Sequence, residues 1–249
     1  MIFDGKTEAE KLRQELLASG KLNGKSLLIL QADGSGQEST YVRLKRQMGE
    51  SLGVGVRVEF ITDSGQLRER LRGEMTENGV LVQLPIIGAD KTETQRILDL
   101  IPEGKDVDGL NQCSKFLPAA VGAVEKVVEY ARVAEKLRFA TAAVVGAKGM
   151  VGRRIVRHLE ERGFEVTGFD LGDDLARLVD YEMVVSATGT PGIIKGSMVK
   201  DGVIAIDLGY PQGDMVFDEV RAKAKLITPV PGGVGPLTVV CLFENLAQA

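Results

Sequence analysis

Residues 142–152 read Ala142-Ala143-Val144-Val145-Gly146-Ala147-Lys148-Gly149-Met150-Val151-Gly152, and the fold turns on how they are read. Four consecutive apolar residues are too few for a helix and read as a buried strand. The pattern Gly146-x-x-Gly149-x-x-Gly152 then turns the chain into a helix that ends near Gly163. A glycine turn between a strand and a helix N-terminus suits a dinucleotide, because free N–H groups and the helix dipole attract the pyrophosphate. The first gap holds two residues where the common fingerprint has one. Asp170, 24 positions after Gly146, follows the next strand, where an acid accepts hydrogen bonds from an adenosine ribose. A tight turn plus a surface acid is the plain alternative; the order strand, turn, helix, strand, acid favours binding.

Outward from this stretch the alternation continues. Strands are expected at Glu165-Val166-Thr167, Met183–Ala187, Val203–Ile206 and Leu226–Ile227, with a helical connection at Asp174–Val179. On the N-terminal side, the spacing of Val121, Val124, Val127, Val128 and Ala131 gives a connector helix from Ala120 to about Lys136. Before it lies a second alternating block. Thr7-Glu8-Ala9-Glu10 resembles a capping box ahead of a first helix with Leu12, Leu16 and Leu17 on one face. Strands Leu27–Leu30, Val56–Ile61 and Gly79–Leu84 are separated by helices Ser39–Leu52 and Ser64 to about Glu77, and a short helix Thr92–Leu100 follows. Pro85 ends the third strand because it lacks an N–H. Alternation in both blocks predicts an α/β fold of two domains with parallel sheets.

Counting residues removes other classes. Thirty-one Lys and Arg against 35 Asp and Glu give a net charge of −4, with no general electrostatic basis for holding nucleic acid or an anionic membrane. His158 is the single histidine, and Cys113 and Cys241 are the two cysteines, so zinc-site and metalloprotease readings fail and no metal is expected. No apolar run approaches a membrane span, and the N-terminus carries no signal-like pattern, so a cytoplasmic protein is expected.

A second constellation is scattered: Tyr41-x-x-x-Lys45, Gln83 in Val82-Gln83-Leu84-Pro85, Asp108 in Lys105-Asp106-Val107-Asp108-Gly109, and the Pro229–Pro236 loop. Tyr41 and Lys45 share one helix face at i, i+4, although a lysine on a helix is ordinarily a solvated surface group. Gln83 closes an apolar strand and must find a partner or carry the full desolvation cost, as a satisfied core glutamine also would. Asp108 reads equally as a turn acid. Three glycines and three prolines within Pro229-Val230-Pro231-Gly232-Gly233-Val234-Gly235-Pro236, ahead of a helix Leu237–Ala247, make a rigid surface that a flat ligand can approach closely. An ordinary strand–helix connection is the alternative there.

With these residues in view, the chain resembles the methylenetetrahydrofolate dehydrogenase/cyclohydrolase enzymes of one-carbon metabolism. The likeness runs from Phe3-Asp4-Gly5-Lys6 through Tyr41-Val42-Arg43-Leu44-Lys45, Gly79–Pro85, Lys105–Gly109, Gly196–Lys200 and Ile206-Asp207-Leu208-Gly209 to Thr228–Val239. The resemblance implies a folate-binding domain of residues 1–125 plus 236–249 and a Rossmann-like dinucleotide-binding domain of residues 126–235. It implies oxidation of 5,10-methylenetetrahydrofolate and hydrolysis of the methenyl product to 10-formyltetrahydrofolate, activities that serve purine biosynthesis, in a homodimer. Lys45, Gln83, Tyr41 and Asp108 would be catalytic: Lys45 the acid/base group with Gln83 beside it, Tyr41 stacked on the aminobenzoyl ring, Asp108 on the pterin. Tyr41, Val82, Gln83, Leu84, Asp108, Gly232, Gly233, Pro236 and Thr238 would contact tetrahydrofolate. Gly146, Ala147, Lys148, Gly149, Val151, Gly152, Asp170, Thr188, Gly189 and Tyr210 would contact NAD or NADP.

Several departures from the family pattern stand out. The connection from Gly109 to Phe116 is shorter than usual, and Ala119-Ala120-Val121 stands where the family has Cys-Thr-Pro. Ser39 lies one position closer to Tyr41 than the usual serine. Gly146-Ala147-Lys148 replaces Gly-Arg-Ser, losing the arginine that NADP-using members place near the 2′-phosphate. With Asp170 repelling such a phosphate, NAD is expected to be favoured slightly. A dehydrogenase of another small substrate, or a non-catalytic nucleotide-binding regulator, are the competing readings.

Overall fold

The computed structural model describes residues 1–249 and divides into two compact units. One comprises Lys11–Ala119 with Val239–Ala249; the other comprises Met1–Glu10 with Ala120–Thr238. The first helix, α1 (Gly5–Ser19), crosses the division.

The first unit then runs β1 (Ser26–Gln31), α2 (Thr40–Ser51), β2 (Gly55–Phe60), α3 (Ser64–Arg72), β3 (Gly79–Gln83) and α4 (Lys91–Leu98). Its three strands are parallel in the order β2-β1-β3, with Leu28 opposite Arg57 on one side and Val80 on the other. Central β1 is apolar because both faces are covered: Leu27, Ile29 and Leu81 share a core with Leu242, Phe243 and Leu246 from the C-terminal segment. Edge strand β2 alternates and is guarded by charge, with Arg70 Nε 2.8 Å and Arg57 Nη2 3.1 Å from the Glu59 carboxylate.

The second unit follows with α5 (Ala119–Glu129), β4 (Thr141–Val145), α6 (Gly152–Glu161), β5 (Glu165–Phe169), β6 (Met183–Ser186), β7 (Ile204–Asp207), α7 (Phe217–Arg221), β8 (Leu226–Ile227) and the start of α8 (Val234–Leu246), whose remainder from Val239 belongs to the first unit. Its five parallel strands are ordered β5-β4-β6-β7-β8, so the chain leaves β4 at the point where strand order reverses. Residues 1–10, which the sequence division puts with the folate half, group here for a physical reason. The Phe3 N–H donates to the Ile227 carbonyl at 2.9 Å, and the Ile227 N–H donates to Met1 at 3.0 Å, adding the N-terminus alongside β8.

Several expected boundaries move. The first helix starts at Gly5 because Asp4 caps it, accepting from the Thr7 N–H at 3.1 Å and the Thr7 hydroxyl at 2.7 Å; Thr7 is not the cap. The helix expected to reach Glu77 stops at Arg72, where Gly73 leaves helical geometry. The connector helix loosens into a π turn over Tyr130–Ala134 and ends before Lys136, whose φ is +52°. The connection expected at Asp174–Val179 is a 3-10 turn, Leu175–Asp180, capped by Asp174. Helix α8 begins three residues early, so Pro236 and Thr238 lie in its first turns. No helix is long and apolar enough to cross a membrane.

Candidate active site

Lys45 is the buried cation of the first unit. It sits on the inner face of α2 at 5% exposure, although a helical lysine is ordinarily solvated. Its Nζ donates to Gln83 Oε1 at 3.1 Å and lies 3.7 Å from Asp108 Oδ2. Gln83, last residue of β3, spends its amide Nε2 on the Leu84 carbonyl at 3.0 Å, which fixes Oε1 toward the lysine. Tyr41 lies one turn before Lys45 on the same helix, half-buried. Val82 is buried within β3, and Leu84 follows it, half-buried. Helix, strand end and loop thus bring Lys45, Gln83 and Asp108 together around one ammonium.

The short connection after Asp108 is built to close. Gly109 has φ +70°, and a Cβ there would lie 2.6 Å from the Pro118 Cα, so only glycine lets the chain fold straight back. The Asn245 amide clamps both arms, donating to Val107 O at 2.9 Å and Leu117 O at 2.8 Å. A shortened edge therefore leaves the Asp108 backbone anchored.

In the second unit the glycine turn takes the expected form. Gly146 has φ +86°, and a Cβ on it would press on Ala187 O, 2.7 Å away. A Cβ on Gly152 would overlap the Gly146 carbonyl, so the helix approaches the turn only because both are glycine. No side chain caps α6, so no side-chain group occupies the positive dipole end, the end of a helix that attracts phosphate. Both oxygens of Asp170 accept the Lys148 N–H, at 3.0 and 3.2 Å, which pins the carboxylate over the turn, while the Lys148 side chain is exposed. Ala147, Gly149 and Val151 complete the turn between them. These features fit a dinucleotide.

Thr188 and Gly189 leave the end of β6 beside this turn, the preceding Ala187 N–H donating to Val145 O at 2.9 Å; Tyr210 is exposed on the loop after β7. Gly232, with φ +106°, and Gly233, whose N–H donates to Pro229 O at 2.8 Å, shape the proline–glycine loop. Thr238 turns its hydroxyl onto Val234 O at 3.2 Å. A Cβ on Gly5 would overlap the Gly233 carbonyl, so the N-terminal Asp4-Gly5-Lys6 turn and this loop are in direct backbone contact. Gly232, Gly233, Pro236 and Thr238 belong to a different compact unit from Lys45.

A cluster absent from the expected site residues lies under the loops that follow β6 and β7: Ser186, Asp207 and Asp214, all buried. Asp207 Oδ1 accepts the Gly209 and Asp214 N–H groups at 2.8 and 3.1 Å, and Oδ2 accepts the Met215 N–H at 2.9 Å. Burial pushes the Asp207 carboxyl above its ordinary range, opposed by these three N–H donors and reinforced by the Asp214 charge. The rule that singled out Gln83, a polar residue closing an apolar strand, also picks out Asp207 and Ser186.

A five-stranded parallel sheet with a glycine turn at its switch point in one unit, and a three-stranded parallel sheet with a helix bearing a buried lysine in the other, define a two-unit α/β dehydrogenase. Residues 118–249 match the family described as tetrahydrofolate dehydrogenase/cyclohydrolase, NAD(P)-binding domain. The chain is 33% identical to the bifunctional protein FolD of Mycoplasmopsis synoviae, with 99% of this chain and 98% of that protein covered. It belongs to the tetrahydrofolate dehydrogenase/cyclohydrolase family. Its structure is similar to the bifunctional FolD methylenetetrahydrofolate dehydrogenase/cyclohydrolase of Campylobacter jejuni, at TM-score 0.85 and 29% identity, covering 100% and 97% of the two chains. It is likewise similar to the Trypanosoma brucei enzyme complexed with NADP cofactor and inhibitor, at TM-score 0.86 and 26% identity, covering 100% and 96%.

Proposed function

We propose that the chain oxidises 5,10-methylenetetrahydrofolate with a nicotinamide dinucleotide and hydrolyses the methenyl product to 10-formyltetrahydrofolate. The observation that carries this is the buried Lys45 ammonium between Gln83 Oε1 and Asp108 Oδ2. The first unit is then the folate side and the second the nucleotide side. When bound, the nicotinamide ring supplies the hydride acceptor, so the oxidation asks the protein only to align the reactants. Hydrolysis asks for more: in its neutral amine form Lys45 takes a proton from the attacking water and, as the ammonium so formed, returns it to the ring nitrogen released as the bridge opens. Gln83 and Asp108 hold the ammonium in place, Asp108 also receives pterin N–H donors, and Tyr41 stacks on the aminobenzoyl ring. Gly232, Gly233, Pro236 and Thr238 offer a flat backbone surface in the second unit.

The pinned Asp170 carboxylate and the exposed Lys148 side chain support a preference for NAD over NADP, since a close carboxylate repels a 2′-phosphate more than one solvated lysine attracts it. Net charge and composition favour a cytoplasmic enzyme that holds neither nucleic acid nor membrane, and family likeness favours a homodimer.

A spectrophotometric assay with methylenetetrahydrofolate, run with each dinucleotide, tests both readings. Turnover with a higher kcat/KM for NAD, narrowed or reversed by Asp170→Ser, is expected. No turnover with either dinucleotide would sink the activity; a higher kcat/KM with NADP would remove Asp170 from the ribose site.

A further inference from the structure

Asp214 is a wholly buried acid on the loop after β7, and its carboxylate is aimed at the loop that leaves β6. A single oxygen, Oδ2, accepts from the Ser186 hydroxyl at 2.7 Å, the Thr188 N–H at 2.8 Å and the Gly189 N–H at 3.3 Å. The other oxygen, Oδ1, is buried without a hydrogen-bond partner. A carboxylate kept in the interior with one oxygen unpaired is costly, and a neutral side chain would fill the space more cheaply. What the charged group supplies is one strong acceptor for three donors that would otherwise be orphaned at a strand end.

Its placement is equally constrained. The Asp214 N–H donates to Asp207 Oδ1 at 3.1 Å, and its carbonyl accepts the Ile194 N–H at 3.0 Å. The Gly192 N–H donates to Gly213 O at 3.0 Å, and a Cβ on Gly213 would lie 2.7 Å from Asp207 Oδ2. Two loops at the C-terminal ends of β6 and β7, the edge where dinucleotides bind such sheets, are zipped together around this acid.

We propose that Asp214 is a positioning residue: it draws the Thr188 and Gly189 N–H groups inward and so sets the loop against which the dinucleotide is held. This rests on the dinucleotide-dependent reading above. Asp214 touches no substrate; it acts through the loop. The acceptor position matters more than the charge, because all three donors converge on one oxygen.

Calorimetric titration with NAD and with NADP separates these effects. Asp214→Ala should weaken the preferred dinucleotide about tenfold, roughly 1.4 kcal/mol, and raise its KM while the KM for methylenetetrahydrofolate holds. Asp214→Asn keeps an oxygen where Oδ2 lies, so it should restore affinity to within about threefold of wild type. Binding by the alanine variant indistinguishable from wild type would overturn the proposal, as would an asparagine variant equally as weak as the alanine one. Hydrogen exchange of the wild-type chain gives a readout that needs no variant to fold: the Thr188 and Gly189 amides should be protected without ligand, and fast exchange would overturn the proposal. Wild-type protein that binds neither dinucleotide would instead defeat the dehydrogenase reading.

Discussion

Two strand–turn–helix units of this chain are built alike and finished differently. In both β1–α2 and β4–α6 a buried parallel strand turns through glycines into a helix. In the first, the turn is closed by the chain itself. Gln31, the last residue of β1, reaches into it, its Nε2 donating to Asp33, Ser35 and the Gln37 carbonyl, while its Oε1 accepts the Ser39 N–H at 3.0 Å. The Ser39 hydroxyl then caps α2, accepting the Val42 N–H at 3.3 Å. In the second, β4 ends in apolar Val145, the Asp170 carboxylate takes only the Lys148 N–H of the turn, and no side chain caps α6. A closed turn makes the helix a rigid carrier for side chains such as Lys45; an open one makes the helix end itself a binding site.

The largest expected effect lies on the closed side. Lys45→Met should cut hydrolysis of methenyltetrahydrofolate by at least about 100-fold, the lower range for losing a positioned acid/base group, and leave measurable hydride transfer. Equal loss of both activities, with folate binding intact, would show that the helix carries a group both steps need. The next effect separates the two glycine sets. Gly152→Ala, which collides with the Gly146 carbonyl, should cost about 1–3 kcal/mol of stability and weaken dinucleotide binding roughly ten- to a hundredfold. Gly36→Ala, with φ +63° and open space around it, should cost about 1–2 kcal/mol of stability and leave dinucleotide affinity alone. If both variants lose dinucleotide affinity alike, closeness of approach is not what Gly152 supplies.

The difference between the turns was only half legible in the sequence. Glycine spacing after an apolar strand announced the open turn, and Asp170 added to it. That Gln31 stops the other turn was not legible, because its amide partners are two to eight residues away and depend on the loop's fold. The α/β alternation was readable because buried parallel strands are short apolar runs. The end of α3 was misjudged because Gly73 acts through its own geometry, while the residues beyond it look helical. Lys45 was ambiguous for a similar reason: a lysine's surroundings are set by Gln83 and Asp108, 38 and 63 positions away. Buried Asp214 escaped because an acid in a loop reads as a turn residue until its burial is known.

A smaller effect tests whether the closed side is folate-specific. Asp108→Ala removes a carboxylate 3.7 Å from Lys45 Nζ and should lower folate affinity by at least roughly tenfold, the value of a charged hydrogen bond. Dinucleotide affinity measured without folate should hardly change. Unaltered folate affinity would leave Asp108 as a partner of Lys45 alone.

The smallest effect concerns how α6 is held if its N-terminus is left free. Its C-terminal end carries the fastening: Glu125 on α5 lies 2.9 Å from His158 Nε2 through Oε2 and 2.6 Å from Arg162 Nη2 through Oε1. Arg162 there also suits the negative end of the helix dipole. The hydrogen bond from His158 holds the Glu125 carboxyl below its ordinary range, burial opposes this, and the Arg162 charge adds to it. A carboxyl depressed in the folded state stabilises the fold fully above its unfolded range, near ~4.3, and loses that contribution as pH falls through the folded value. Glu125→Gln should therefore destabilise the protein by at most about 1 kcal/mol at pH 7, since partly exposed pairs are screened. The gap from wild type should close as pH drops below about 4, as measured by denaturant melts across pH. A gap that persists unchanged in acid would mean that packing rather than charge ties this end of α6. If dinucleotide affinity moved with it, the fastening at the far end would also be what holds the open turn in place.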